Sequence, residues 1–264
     1  MLKLYHAPTS VCSQKVRVGL AEIGLDYESE MLDLQKGDQF APHYLKLNPD
    51  AVVPTLVDGG LILVESSLIL EYLDREYNAG RLMPRGKAAE VAARHWLLRC
   101  LAIHAAINTM SFSTAFRKAI LASKSRDEIA ASLAQMPDPV MRAKRKDLLE
   151  HGLRSPYVGQ ALIHLRRTLS DMAAALETDE WVSGSQFGIS DIALVAYLDR
   201  LERLGFDGLW SKEYPAVGYW LSRMQARPSY ETGIAALHPA SAAEAMRTRG
   251  GEHWPEVEVL WHGT

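Results

Sequence analysis

Residues 52–64 constrain the fold more than any other stretch of this chain. Val52-Val53-Pro54-Thr55-Leu56-Val57 is a β-branched, apolar run, Asp58-Gly59-Gly60 supplies turn chemistry, and Leu61-Ile62-Leu63-Val64 returns along the same line. The pattern predicts a β-hairpin. A proline cannot donate to a strand ladder, so Pro54 must open its strand, and a cis Val53–Pro54 bond is expected to turn the chain there. That arrangement leaves the Val53 N–H and C=O free to pair with an extended peptide as a further strand would. Glu65-Ser66-Ser67 then precedes Leu68, Ile69, Tyr72 and Leu73 at helical spacing, which puts Glu65 and Ser66 at a helix N-terminus. Free N–H groups and the dipole favour a carboxylate at such an end, and Glu65 can take an ammonium. A ligand with backbone-like amides and an α-amino acid end fits this layout.

Upstream, Leu2 to His6 reads as a short strand, Pro8 as its stop, and Val16, Leu20 and Ile23 as a helix face capped by Gly24. Residues 27–34 are a second strand, and Phe40, Tyr44, Leu45 and Leu47 a short helix stopped by Asn48-Pro49. The order over residues 1–78 is therefore βαβαββα. Residues 79–86, with Gly80, Pro84 and Gly86, read as a linker. Residues 87–264 read as all-helical, with long helices over 88–107 and 157–176 and further ones over 192–204 and 217–224. Between the first two lies an insertion, about 111–156, with Met136-Pro137-Asp138-Pro139 and the basic run Arg142, Lys144, Arg145, Lys146, expected to be a helix-turn-helix with a solvated basic face. The segment beyond Ala236 shows no sustained period and is expected to lie over the surface.

Bulk properties exclude several function classes. The 29 basic and 32 acidic side chains are mixed along 264 residues, and a net charge of -3 gives no electrostatic reason to bind nucleic acid. No stretch approaches the ~20 apolar residues of a spanning helix, and the start lacks the apolar region of an export signal. Two cysteines, Cys12 and Cys100, make neither a disulfide scaffold nor a zinc site, so no metal is expected and a reducing cytoplasm is.

The blocks Tyr5-His6-Ala7-Pro8-Thr9-Ser10-Val11-Cys12-Ser13-Gln14-Lys15-Val16-Arg17, Leu47-Asn48-Pro49 with Val53-Pro54, and Glu65-Ser66 before Ile69 and Tyr72-Leu73 resemble the N-terminal domain of serine-type cytosolic glutathione transferases. Gly184 to Asp191 with Ile192, then Pro215, Trp220 and Arg227-Pro228, are similar to the helical domain of the same superfamily. The resemblance implies a thioredoxin-like α/β domain followed by an all-α bundle, glutathione as cosubstrate, a hydrophobic electrophile as second substrate, a two-fold homodimer, and no membrane partner.

Carried over by position, Ser10 is the hydroxyl at the glutathione sulfur, or else a simple N-cap. Val53 and Pro54 hold the peptide backbone, Glu65 and Ser66 the γ-glutamyl end, and Gln39 the glycine carboxylate. Cys12 reads as a small buried side chain or as a rival thiol able to form a mixed disulfide with glutathione. Trp96, His104, Met110, Phe112 and Phe116 are candidate walls for the second substrate, or helical-domain core. Two departures stand out: Val52 replaces a polar residue, and Gly188 replaces the serine or threonine three residues before Asp191, which is expected to weaken the start of that helix. Asp191 reads as structural.

Three functions follow from the resemblance. The first is conjugation or thiolytic cleavage by bound glutathione, including the β-aryl ether cleavage of bacterial relatives with a similar insertion. The second is a non-catalytic adaptor of the kind found among the ganglioside-induced differentiation proteins. The third is a Cys12-dependent thiol transferase.

Overall fold

The computed structural model describes residues 1–263. Four strands, β1 (Leu2–His6), β2 (Glu28–Met31), β3 (Thr55–Asp58) and β4 (Leu61–Leu63), form one sheet in the order β2-β1-β3-β4. β1 is parallel to β2 and antiparallel to β3, and the hairpin β3–β4 turns at Gly59, φ 58°. Leu4 and Leu56 face each other across the β1–β3 register and meet Val16 and Leu20 of α1 (Val11–Ile23) and Ile69 and Leu73 of α3 (Ser66–Tyr77). The opposite face takes Tyr44 of the one-turn α2 (Pro42–Leu45), packed with Ala7, Leu32 and Val53. This is the βαβαββα order read from the sequence.

β2 is shorter than the expected 27–34. Asp33 ends it by accepting the Gln35 N–H through its side chain at 2.9 Å, an Asx turn that bends the chain out of the ladder. Its glutamates, Glu28 and Glu30, both pair with Lys3 of the neighbouring strand. A charged edge of this kind resists further strand pairing.

Past α3 the chain has no helix or strand until α4 (Lys87–Ser113), yet it is held firmly. The buried Asp74 carboxylate accepts the Leu82 and Met83 N–H groups at 3.0 Å each and Asn78 Nδ2 at 2.8 Å. The Leu82 carbonyl in turn accepts the Ile189 N–H at 2.8 Å.

The helical region packs α4 against α8 (Pro156–Thr178) and α9 (Ile189–Arg203), with α11 (Pro215–Gln225) behind them. Leu97, Ile103, Leu165, Leu169, Leu194 and Trp220 fill the common core. The helix α9 is buried on every side from Ile189 to Leu201, so its sequence lacks a polar face. α1 lies against both α9 and α12 (Pro228–Gly233), which seats the small sheet domain on the bundle.

Two regions depart from expectation. The insertion holds three helices, α5 (Ala115–Ser123), α6 (Arg126–Ala134) and α7 (Pro139–His151). Its basic run is not a single solvated face: Arg142 donates to the Met136 carbonyl, Lys144 lies over the Tyr157 ring and Arg145 over Phe112. Beyond α12 the chain forms α13 (Ala240–Gly251) and α14 (Trp254–Gly263), which bury Met246, Val257 and Trp261. Their apolar contacts are few and widely spaced, and periodicity was too sparse to reveal them.

The start of α9 shows why Gly188 is present. A Cβ there would lie 2.7 Å from the Leu82 carbonyl oxygen and 2.8 Å from Ser183 Oγ. The missing cap hydroxyl comes from Ser183, whose Oγ accepts the Ser190 N–H at 3.1 Å. Asp191 accepts the Val182 and Gly188 N–H groups at 2.9 and 3.1 Å and Trp220 Nε1 at 2.8 Å. The helix start is therefore rebuilt rather than weakened. Gly188→Ser, which restores the usual cap residue, should destabilise the protein by about 2 kcal/mol through overpacking, and Ser183→Ala by about 1 kcal/mol through loss of the cap. Urea unfolding midpoints check both.

Candidate active site

The turn between β1 and α1 is built around Arg17. This buried guanidinium donates from Nη1 to the Ala7 carbonyl at 3.1 Å, from Nη2 to the Pro8 carbonyl at 2.9 Å and from Nε to the Gly233 carbonyl of α12 at 2.8 Å. It also donates from Nη1 to His6 Nδ1 at 3.0 Å. Arginine can only donate, so Nδ1 accepts and Nε2 carries the imidazole proton, donated to Ser29 Oγ at 2.7 Å. Burial and the adjacent guanidinium push the His6 pKa down to about 4.

Ser10 ends this turn. It is the N-cap of α1, half-buried, and its Oγ accepts the Ser13 N–H at 3.3 Å. Accepting that bond uses a lone pair and leaves the hydroxyl proton to donate elsewhere. N-cap and thiol ligand are therefore compatible roles for the same oxygen.

The Val53–Pro54 bond is cis. The loop before it is fixed by Tyr44 and Asn48: both donate to the Val52 carbonyl, Asn48 Nδ2 at 2.9 Å, and both reach Thr55 Oγ1. Among the described residues neither the Val53 N–H nor its C=O has a hydrogen-bond partner. Glu65, the N-cap of α3, holds φ 69°, an uncommon conformation for a non-glycine residue, with its side chain exposed. The first α3 bond to its carbonyl comes from Ile69, so the Ser66, Ser67 and Leu68 N–H groups have no intrahelical acceptor. Gln39 lies in a one-turn 3₁₀ helix (Asp38–Phe40), with Nε2 3.5 Å from the Leu34 carbonyl.

Cys12 is not inert filler. It is half-buried, its sulfur lies 4.0 Å from the Tyr197 hydroxyl, and His104, Lys15 and Ser66 are close enough to act on it electrostatically. Lys15, fully buried, donates to Ser67 Oγ at 3.0 Å and lies over the Tyr197 ring at 5.1 Å, with no carboxylate paired to it among the described residues. Burial opposes ionisation of the thiol, but His104, Lys15 and Ser66 together bring the Cys12 pKa down to about 6. The thiolate reciprocally raises that of His104. This environment favours the Cys12 thiolate over the thiol.

Of the other candidate walls, Phe112 and Phe116 stand edge to face at 5.1 Å, each under a guanidinium, Arg145 and Arg200 respectively. Arg200 also donates to the Thr9 carbonyl, which joins this aromatic pair to the turn that carries Ser10. Met110 is fully buried core, and Trp96 stacks on Arg99 at 4.3 Å while packing into the same core. Neither is a wall. Lys15, Tyr197 and Arg200 were not singled out from the sequence, although a lysine on a buried face and a tyrosine in an apolar helix were the available signals, and Arg145 was read only as part of a solvated basic run.

The fold and this site define a class: a thioredoxin-like sheet domain with a cis-proline loop and two open helix N-termini, set against a helical domain. Residues 4–81 match the family model described as Glutathione S-transferase, N-terminal domain, and residues 102–228 match Glutathione S-transferase, C-terminal domain. The chain belongs to the glutathione S-transferase family. It is 28% identical over 237 residues to the tetrachloro-p-hydroquinone reductive dehalogenase of Sphingobium chlorophenolicum, covering 88% of this chain and 94% of that protein. It is 27% identical to glutathione S-transferase TCHQD of Arabidopsis thaliana, covering 88% and 89%. Its fold superposes on the β-etherase LigF of Sphingobium sp. strain SYK-6 with a TM-score of 0.77 at 23% identity, covering 88% and 98%.

Two outcomes test the site. Alkylation of Cys12 by iodoacetamide should follow an inflection near pH 6, shift towards the ordinary thiol range in His104→Gln, and vanish in Cys12→Ser. Because folded His6 binds its proton only near pH 4 whereas unfolded histidine does so near ~6.5, the unfolded state takes up protons first. The urea midpoint should therefore fall as pH drops from 6.5 towards 4, less steeply in His6→Gln.

Proposed function

We propose that this protein is a glutathione transferase that activates bound glutathione as the thiolate for attack on an aryl or benzylic carbon. The observation that carries this is the free Val53 N–H and C=O standing with the open N-terminus of α3. In this reading glutathione runs antiparallel to the Val53 segment. Its γ-glutamyl carboxylate meets the Ser66 end of α3, its ammonium meets Glu65, and Gln39 reaches its glycine carboxylate.

The sulfur then falls at Ser10. A thiol with pKa near ~8.5 is only a few per cent ionised at neutral pH. Lowering that pKa by about two units requires about 2.7 kcal/mol. One charge-assisted hydrogen bond from the Ser10 hydroxyl contributes about 1.5–3 kcal/mol, and the α1 N-terminus about 0.3–1 kcal/mol. Together they suffice. The thiolate attacks carbon, the carbon–leaving-group bond breaks, and the bond's electron pair departs with the halide or aryloxide. The dehalogenase relative supports an aryl electrophile.

The Cys12 thiolate favours a second reading, thiol transfer through a Cys12–glutathione mixed disulfide. The glutathione-dependent ultraviolet thiolate signal, titrated against pH, separates the readings. It should appear at neutral pH in the wild type, persist in Cys12→Ala and disappear in Ser10→Ala. The reverse pattern selects thiol transfer, and no signal at saturating glutathione selects a binding module without chemistry.

The same reading makes the protein a cytoplasmic two-fold dimer. Val91, Leu98 and Leu101 project from α4 into solvent, Leu98 at 70% exposure, and Leu68 does so from α3. Light scattering at micromolar concentration should give a dimer mass, and Leu98→Asp a monomer.

A further inference from the structure

Arg145 is a cation in search of a counter-ion. Its guanidinium lies 3.2 Å from the Phe112 ring centroid. Its hydrogen bond is a long one, 3.4 Å, to the Asn108 side-chain oxygen. No carboxylate pairs with it among the described residues, whereas Arg94 pairs with Glu71 and Glu90, Arg203 with Asp199 and Arg227 with Glu22. The neighbouring charge is of the same sign, Lys144 over the Tyr157 ring. Two residues further along α7, Asp147 faces His151 instead. Burial pushes the Arg145 pKa down to about 10, still fully protonated at neutral pH.

The position of this charge is set by α4. His104, Asn108 and Phe112 follow one another at intervals of four along that helix. His104 acts electrostatically on Cys12, Asn108 meets Arg145, and Phe112 carries the guanidinium on its ring. Each interval is about 6 Å along the helix. Arg145 therefore meets α4 about one to two turns beyond His104, roughly the length of a substituted benzene ring, with Phe116 edge to face on the Phe112 ring that carries it.

We propose that this cleft recognises an aromatic carboxylate, its carboxylate forked on Arg145 and its ring on Phe112 and Phe116, with the electrophilic carbon directed at the glutathione sulfur. The inference rests on the transferase reading for the fate of that carbon, but the anion subsite stands by itself. Planar guanidinium matches a carboxylate with two parallel hydrogen bonds, and a site shielded from water strengthens them. A neutral ligand covering the half-buried cation would remove its remaining water without compensation. In the reaction glutathione thiolate forms the new carbon–sulfur bond as the carbon–halogen bond breaks and halide leaves with its electron pair. The carboxylate is unchanged throughout.

The test uses matched pairs on the glutathione-saturated protein. Calorimetric binding of 3-nitrobenzoate should be at least about tenfold tighter than that of 3-nitrobenzamide, and the ratio should fall to near one in Arg145→Met. Asn108→Asp, which supplies Arg145 with a carboxylate from the protein itself, should abolish the preference in the same way and guards against misfolding of the first variant. Equal binding of acid and amide by the wild type, or a preference that survives both substitutions, overturns the proposal. With 4-chloro-3-nitrobenzoate and its amide, the same ratio should appear in kcat/KM, mainly through KM. If the acid binds through Arg145 and neither compound is conjugated, the anion subsite holds and the transferase reading fails.

Discussion

The architecture of the cleft depends on the Arg17 guanidinium. Its donors hold two consecutive carbonyls of the β1–α1 turn, a neutral histidine from the end of β1 and a carbonyl from α12 of the other domain. Few other side chains could do this, because the acceptors lie around a plane and none is charged. The turn it fixes delivers Ser10 to the start of α1. Position of the hydroxyl, docking of the helical domain and tautomer of His6 are thus consequences of one buried fork.

Buried positive charge is the recurring theme around this cleft. Lys15 and Arg200 are drawn out of water and Arg145 is half-buried, each without an acid of its own, and each rests on an aromatic ring of the helical domain. Asp199, next to Arg200, is committed to Arg203 and Tyr230. Cation–π contacts of about 0.5–2 kcal/mol do not replace lost hydration, so negative charge inside the cleft is stabilised from several directions. At Cys12 the protein supplies that negative charge itself. Elsewhere the field is left for a ligand to satisfy.

Much of this was legible from the sequence because the decisive signals are local. The Pro54 position, the Asp58-Gly59-Gly60 turn and the Glu65-Ser66 helix start each report on their own neighbourhood, and the order of elements follows from them. The cap at Gly188 was misread because its replacement hydroxyl, Ser183, is brought in by a loop that no helical spacing describes. The C-terminal helices were missed for want of period: Val257 and Trp261 alone mark the buried side of α14, and Gly208 is small so that Trp254 can lie over it, at 2.0 Å from where a Cβ would stand. Cys12 and His104, 92 residues apart in sequence, become a reactive pair only through the packing of α1 against the helical domain. Pair chemistry of that kind has no one-dimensional signature.

The nine residues between α3 and α4 carry a mechanical meaning. Leu82 donates its N–H to Asp74 in one domain and accepts the Ile189 N–H from the other, so a single peptide segment is clamped at both ends. Separating the two sides at this point would break at least one of these bonds, and loss of the first would take a donor from the buried Asp74 carboxylate. One peptide unit therefore ties the end of α3 to the start of α9, so a change at either contact is felt at the other.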